Sequence, residues 1–317
     1  MSPEHKSERL STPPDAATAA DVAVTLALDD LCARAVTALA GRGVDAVVLK
    51  GPTLAGWLYP GEHRHYDDCD LLVAPDALET ARGWLRESGF VRFEPPTVRP
   101  GLELAAAELW SHGWEQIDLH QSFWGLAGAP GEVWTALSAH IEPGTVAGRP
   151  VQVLDVPARL LLIVLHALHH GPSRPKPMED LRRAVAQVGD DDWRAALGLG
   201  TALGAVPAFA AVLPAVAGGA GLSARLGLGP AAGVRAAATR SGLGVSDGIE
   251  RFTQAPGAPA KARIIAAEMA PSAAFMRWKY PFARRGRRAL GAAYVLRAGE
   301  LTVTAARLAA AWARGRR

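Results

Sequence analysis

Two carboxylates, Asp68 and Asp70, stand two residues apart where a short apolar run, Leu71–Val73, begins. The side chains of a β-strand alternate between its two faces, so this spacing directs Asp68 and Asp70 to one side and Cys69 to the other. Two ionised carboxylates so close together repel, and burying them is costly unless a cation lies between them. Mg²⁺ is a cation that favours carboxylate oxygens together with substrate phosphates. The segment therefore predicts a metal-dependent phosphoryl-transfer site.

The composition is that of an ordinary globular protein and excludes few classes of function. The chain has 317 residues, enough for two domains, of which 49% are hydrophobic and 21% charged. Its net charge of +3 gives no strong field for binding nucleic acid. Cys32 and Cys69, the only cysteines, form no disulfide framework, and we expect a cytoplasmic location. Residues 1–20 are polar, lack the apolar core of a signal peptide, and predict a disordered tail.

The periodicity of apolar residues changes along the chain from mixed to purely helical. An α/β module over 21–155 and an all-helical domain over 156–317 are therefore predicted. The segment 95–113 is ambiguous. Predicted strands cover 44–49, 70–73, 90–93 and 114–120, a hairpin covers 141–155, and helices cover 21–41, 53–59, 76–88 and most of 157–317.

Two segments of the helical part raise the question of a membrane. Residues 195–224 carry no charge, but they are rich in Ala and Gly and contain Pro207 and Pro214, which favours packed small-residue helices over a membrane span. Residues 289–317 predict a basic amphipathic helix. Such a helix could contact an anionic membrane or nucleic acid at the periphery, although a docked helix with a solvated basic end is favoured.

A third carboxylate, Asp118, lies in an alternating segment that predicts another strand. Its neighbours Ile117 and Leu119 are apolar, so Asp118 and His120 share the polar face of that strand. A strand–loop–helix–strand order, with Gly51 in the first loop and Asp-x-Asp on the second strand, is the layout of polymerase-β-like nucleotidyltransferases, which also need a third carboxylate on a neighbouring strand.

An ordered set of short motifs resembles an uncharacterised bacterial nucleotidyltransferase family of that superfamily. The set consists of Val48–Ala55 (LKG-x-x-LA), Tyr59-Pro60, Arg64 through Val73 (R-x-x-x-D-x-D-L-L-V), Ile117–His120, Leu160–His170 and Asp180. The resemblance implies an α/β (α+β) polymerase-β-like module followed by a helical domain. It also implies an enzyme that transfers a nucleotidyl group, most simply adenylyl from ATP, to a hydroxyl of a small molecule or peptide, with a biosynthetic cluster as a context.

The resemblance further implies a two-metal site. Asp68, Asp70 and Asp118 would be the catalytic ligands of two Mg²⁺ ions, with an NTP as the donor. Gly51 would allow a phosphate to approach the backbone closely. The superfamily usually carries Gly-Ser in this loop, whereas this chain has Lys50-Gly51; Lys50 as a point charge and Arg64 through its planar fork could bind phosphate instead.

Each of these residues also has a purely structural interpretation. Asp68 and Asp70 could cap a turn, Asp118 could be exposed, and Lys50 could be a solvated strand end. His120 could contact substrate or be structural. His166 and His170 lie one helical turn apart, as zinc ligands would, but with His169 they are favoured as packing residues or as a polar cleft lining. Asp180 could pair with a histidine, Arg182 or Arg183, although a solvated position is the commoner outcome.

Two other functions compete with the transferase interpretation. One is a catalytically degenerate nucleotide-binding or regulatory module that keeps the fold without turnover. The other is a toxin-like enzyme that nucleotidylates a protein or a tRNA end.

Overall fold

The structure, a computed structural model, describes residues 18–94, 96, 107–231, 233–240, 247–255 and 257–314. These residues form one mixed sheet and fourteen α-helices. Most of the predicted disordered tail, residues 1–17, lies outside the described residues. Residues 19 and 20 already belong to the first helix, whose start is fixed by Thr18 and Asp21 in a reciprocal capping box.

The sheet has seven strands in the order β3-β4-β5-β2-β1-β7-β6. The β2–β5 and β1–β7 pairs are parallel and the other pairs are antiparallel. The strands are β1 (Ala46–Val48), β2 (Cys69–Val73), β3 (Val91–Arg92), β4 (Ala107–His112), β5 (Glu115–His120), β6 (Ile141–Val146) and β7 (Arg149–Leu154).

Two apolar cores lie on opposite faces of this sheet. Alternation along β2 sends Leu71 into one core and Leu72 into the other. The first core is closed by α1 (Ala19–Ala40) and α3 (Leu78–Glu87), and the second by α2 (Pro52–Leu58), α4 (Pro130–Ser138) and the helices that follow the sheet. Asp70 shares the face of Leu72, so it faces the later helices.

All regular structure described after the sheet is helical. Its first helix, α5 (Val156–His170), is apolar almost all round, as expected of a helix buried in the second core. The others are α6 (Pro175–Gln187), α7 (Asp190–Ala202), α8 (Val206–Val212), α9 (Gly219–Arg225), α10 (Gly233–Arg240), α11 (Asp247–Gln254), α12 (Gly257–Met269), α13 (Ala273–Lys279) and α14 (Arg287–Arg314), with 3₁₀ turns at Leu213–Ala215 and Pro281–Arg285.

The predicted fold class, a mixed α/β part followed by a helical C-terminal region, is confirmed. The ambiguous segment 95–113 contributes β4, and the uncharged stretch at 195–224 is broken into short packed helices, partly at Gly204, which has a left-handed φ of +69°. Among the described residues, no helix combines the length and apolarity needed to cross a membrane. The predicted domain boundary at 155/156 stays a prediction.

Candidate active site

The register of two parallel strands places Asp70 directly beside Asp118. In the β2–β5 pair, Asp70 is the partner of Asp118 and Leu72 is the partner of His120. Since strand side chains alternate, Asp70, Asp118 and His120 occupy one face, toward α5. One ligand atom from each of these three residues lies within 4.8 Å of the other two, so the group could hold a metal ion. The expected proximity of Asp118 to the Asp-x-Asp strand is therefore present in the fold.

Asp70 is the most enclosed carboxylate of this group, with 4% of its side chain exposed. Its Oδ1 atom lies 2.8 Å from Lys50 Nζ and 2.9 Å from His120 Nε2. Burial opposes ionisation of Asp70, but the Lys50 charge and the His120 hydrogen bond outweigh it and hold the pKa well below its usual range. Asp70 is therefore a carboxylate anion at neutral pH.

Lys50 is the cation that balances part of this negative charge. It follows β1, and 17% of its side chain is exposed. Burial disfavours the ammonium, but Asp70, Asp68 and Asp118 raise the pKa of Lys50 above its ordinary value. The next residue, Gly51, has a φ of +62°, and a Cβ there would come within 3.3 Å of the Tyr66 ring. Glycine therefore permits the sharp turn that brings Lys50 to Asp70.

Asp68 lies at the bend before β2 and is only partly buried. Burial, followed by the charges of Asp70 and Asp118, raises the pKa of Asp68 to about 6. Asp68 is thus close enough for the other two carboxylates to raise its pKa, but it does not belong to the compact group of Asp70, Asp118 and His120. The sequence predicted three carboxylates as one ligand set; the structure groups two of them with a histidine and leaves the third at the edge.

Arg64 forms a buried ion pair with a residue of helix α6. Its Nε and Nη2 atoms donate to Asp180 Oδ1 and Oδ2 at 2.8 and 2.7 Å, and Tyr59 Oη donates to Asp180 Oδ1 at 2.7 Å. We call these three residues the clasp. Asp180 is only 1% exposed, so the expectation that it would be solvated, or paired with a histidine, Arg182 or Arg183, is wrong. Phosphate binding by Arg64 stays a prediction. Two of the three nitrogens of its guanidinium group are engaged in this ion pair.

Three histidines lie in the last turns of α5, the helix that packs on the sheet face of Asp70. His166 and His170 are in edge contact with ring centroids 4.5 Å apart, and His169 stacks on Trp124 at 6.0 Å. Burial, then His169 and Lys50, lowers the pKa of His170 to about 3, and burial also lowers that of His166. The imidazoles of His166 and His170 are therefore neutral at pH 7. None belongs to the metal-capable group found among the described residues, and their packing or lining role stays a prediction.

His120 and Lys176 are two site residues that the sequence did not assign. His120 is 8% exposed, bonds Asp70 and stacks on Phe123 with ring centroids 5.0 Å apart. Its shared strand face with Asp118 was a usable signal. Lys176, on α6, lies 4.0 Å from Asp67, and its charge adjoins Asp68. Only tertiary packing of α6 brings Lys176 to this place, so no local pattern marks it.

Comparison with known proteins identifies the family of the chain. The sequence model of a family described as uncharacterised nucleotidyltransferases matches residues 10–216. The chain belongs to this family, which confirms the predicted resemblance and the expectation of a nucleotidyltransferase enzyme. A comparison with curated proteins found no match.

Two solved structures of ANT(2″)-Ia are similar to the chain, each at 19% identity. A crystal structure in complex with adenylyl-2″-tobramycin has a TM-score of 0.42, covering 55% of this chain and 97% of that one. A solution structure of this antibiotic-resistance factor has a TM-score of 0.38, covering 57% of this chain and 92% of that one.

Proposed function

We propose that this protein is a Mg²⁺-dependent enzyme that transfers a nucleotidyl group, most simply adenylyl, from an NTP to a hydroxyl of a small molecule or peptide. The observation that carries the proposal is the pairing of Asp70 with Asp118 across two parallel strands, beside Lys50, in a chain of a nucleotidyltransferase family. In this reaction the acceptor oxygen bonds to the α-phosphorus, the bond to the bridging oxygen breaks, and pyrophosphate leaves. The hydroxyl proton is lost to solvent.

The residues present fit divalent metal. Asp68, Asp70 and Asp118 contribute three carboxylates, whereas Lys50, which is bonded to Asp70, and Lys176, whose charge adjoins Asp68, contribute two positive charges, so the group carries an excess of negative charge. Carboxylate oxygens are the ligands that Mg²⁺ prefers. Asp68, Asp70 and Asp118 would hold two ions. When bound, Mg²⁺ lowers the pKa of an acceptor hydroxyl and neutralises charge that develops on the phosphates.

The remaining side chains have roles in orientation and water exclusion. Asp70 is held in one rotamer by Lys50 and His120, and His120 by its stack on Phe123. Such fixed geometry favours in-line transfer, because the reacting atoms do not have to be ordered at the moment of reaction. Trp124 stacks on His169 of α5, and this pair gives a flat aromatic surface suited to a base or an acceptor ring.

The decisive experiment follows labelled nucleotide into product. Purified protein is incubated with α-³²P-labelled NTPs, Mg²⁺ and a fractionated lysate, and label is measured separately in small molecules, peptides, protein and RNA. We expect label from ATP in the small-molecule or peptide fraction, with pyrophosphate release, and none with Asp70→Asn. Label in protein or tRNA would overturn the acceptor class. Tight NTP binding without pyrophosphate release would instead identify a degenerate binding module.

A further inference from the structure

The orientation of helix α6 is fixed by a buried ion pair. Asp180 accepts hydrogen bonds from two nitrogens of Arg64 and from the Tyr59 hydroxyl. Arg64 and Asp180 are 4% and 1% exposed, so both are held away from solvent. On the same helix, Arg183 forms a two-nitrogen ion pair with Glu62, which ties α6 a second time to the segment before β2. The helix therefore cannot rotate without breaking both pairs.

This orientation directs Lys176 toward the catalytic carboxylates. Lys176 precedes Asp180 by four residues, so the two side chains lie on the same face of α6, one turn apart. Lys176 Nζ lies 4.0 Å from Asp67 Oδ1, beyond hydrogen-bond distance, and 40% of the side chain is exposed. The ammonium thus stands at the solvent edge of the site, next to the residue that precedes Asp68.

Three cations converge on this side of the acids, and two of them are already engaged. Lys50, Lys176 and Arg64 all contribute, after burial, to lowering the pKa of His166, which places their charges around one neutral imidazole. Lys50 is bonded to Asp70, and Arg64 is bonded to Asp180. The ion pair of Lys176 is the longest of the three, 4.0 Å to Asp67, against 2.8 Å for Lys50 and 2.7 Å for Arg64.

We propose that Lys176 binds the β- and γ-phosphates of the nucleoside triphosphate, opposite the carboxylates that would hold Mg²⁺. A compact ammonium on a flexible stem suits phosphate as a point charge. Lys176 thereby takes the role that the sequence suggested for Arg64, and Arg64 becomes a positioning residue that acts through Asp180 and α6. The inference rests on the proposed function and deepens it, because it assigns part of the donor site to the helical region.

Calorimetric titration of the full chain in the presence of Mg²⁺ tests this assignment. The probes are ATP, inorganic tripolyphosphate and adenosine, and the variants are Lys176→Met, which keeps length without charge, and Lys176→Arg, which keeps charge. Lys261→Met is the matched control, since Lys261, on α12, lies over the Phe252 ring of α11. We expect Lys176→Met to weaken ATP and tripolyphosphate binding about tenfold or more and to leave adenosine binding unchanged. Lys176→Arg should recover most of the loss.

Equal affinity of the native chain and Lys176→Met for tripolyphosphate would overturn the inference, provided that circular dichroism shows a folded variant. A similar loss for adenosine would also overturn it, because it would indicate a structural effect. A further result would separate the two proposals. If Lys176→Met loses tripolyphosphate binding but the native chain releases no pyrophosphate with any acceptor fraction, the proposed nucleotidyl transfer is wrong and the phosphate site at Lys176 stands. If the native chain binds neither ATP nor tripolyphosphate, both the transfer and the phosphate site are wrong.

Discussion

Two buried charge clusters lie close together in this protein and differ in how completely they are balanced. In the clasp, one guanidinium meets one carboxylate through two hydrogen bonds, and Tyr59 adds a third. In the acid cluster, three carboxylates share the ammonium of Lys50. Both clusters cost desolvation energy, but only the clasp satisfies its own charge.

The difference separates a structural ion pair from a binding site. A balanced buried pair gains nothing from a further ion, whereas an unbalanced one lowers its free energy when a cation binds. The pKa of Asp68, raised to about 6, is one sign of that imbalance. Loss of a charge should therefore destabilise the clasp and stabilise the acid cluster.

Removing charge from the acid cluster should have its largest effect on catalysis. We expect Asp70→Asn to lower the rate of nucleotidyl transfer by roughly a thousandfold or more, since it removes a proposed metal ligand and the partner of Lys50. Pyrophosphate release under saturating NTP and Mg²⁺ measures the effect. Asp76→Asn, at an exposed position, is the control and should leave the rate within about twofold. Unchanged activity of Asp70→Asn would remove Asp70 from the mechanism.

Removing charge from the clasp should chiefly affect folding. Asp180→Asn leaves the Arg64 guanidinium buried without its counter-ion, and we expect the free energy of unfolding to fall by about 3 kcal/mol. Urea denaturation measures this change. The double variant Arg64→Met/Asp180→Leu should regain most of the stability, because replacing both charges removes the desolvation cost as well. If the double variant is no more stable than Asp180→Asn, the unpaired charge is not the cause.

Removing a charge from the edge of the acid cluster should stabilise the folded protein, the opposite of the effect in the clasp. In chelator, Asp68→Asn should raise the free energy of unfolding by about 1 kcal/mol at pH 7, because it relieves burial of a charge beside Asp70 and Asp118. Thermal unfolding with and without Mg²⁺ measures it. Mg²⁺ should stabilise the native chain more than the variant. A destabilised Asp68→Asn in chelator would mean that repulsion does not dominate this cluster.

The neutral histidines beside these clusters should give the smallest effect, a pH dependence of stability. The pKa of His166 is lowered in the folded state, so its neutral form contributes stability above the unfolded pKa near 6.5 that is lost as pH falls below it. From pH 7 to 6 we expect a loss of roughly 0.7 kcal/mol from this residue. His166→Gln should show a shallower decline over that range in urea denaturation. His112, which is exposed, provides the control substitution.

Local patterns were sufficient to predict the parts of the fold and site that depend on short-range geometry. Alternation around Asp70 and Asp118 predicted two strands, the resemblance implied that they are neighbours, and the register of β2 and β5 agrees. The change to helical periodicity after the hairpin at 141–155 predicted the helical region. The roles of Asp68, Asp70 and Asp118 as metal ligands stay predictions. So do the roles of Lys50, Gly51 and Arg64 in binding phosphate.

The features that could not be predicted depend on contacts between distant residues. Asp180 reads as a surface charge on an amphipathic helix, and only the docking of α6 buries it against Arg64, 116 residues away. The same docking brings Lys176 to the site. The order of the strands also depends on distant contacts, since β7 pairs with β1, about a hundred residues earlier in the chain.

The separation between Arg64 and Asp180 has a consequence for how the molecule is made. Ribosomal synthesis delivers the whole sheet, including all three acids, before α6 exists. Until Asp180 emerges, the Arg64 guanidinium has no buried counter-ion and stays hydrated, so the loop that leads into β2 is tied only to α1, through His63 and Tyr66. We therefore expect the loop between α2 and β2 to reach its final position only after α6 docks.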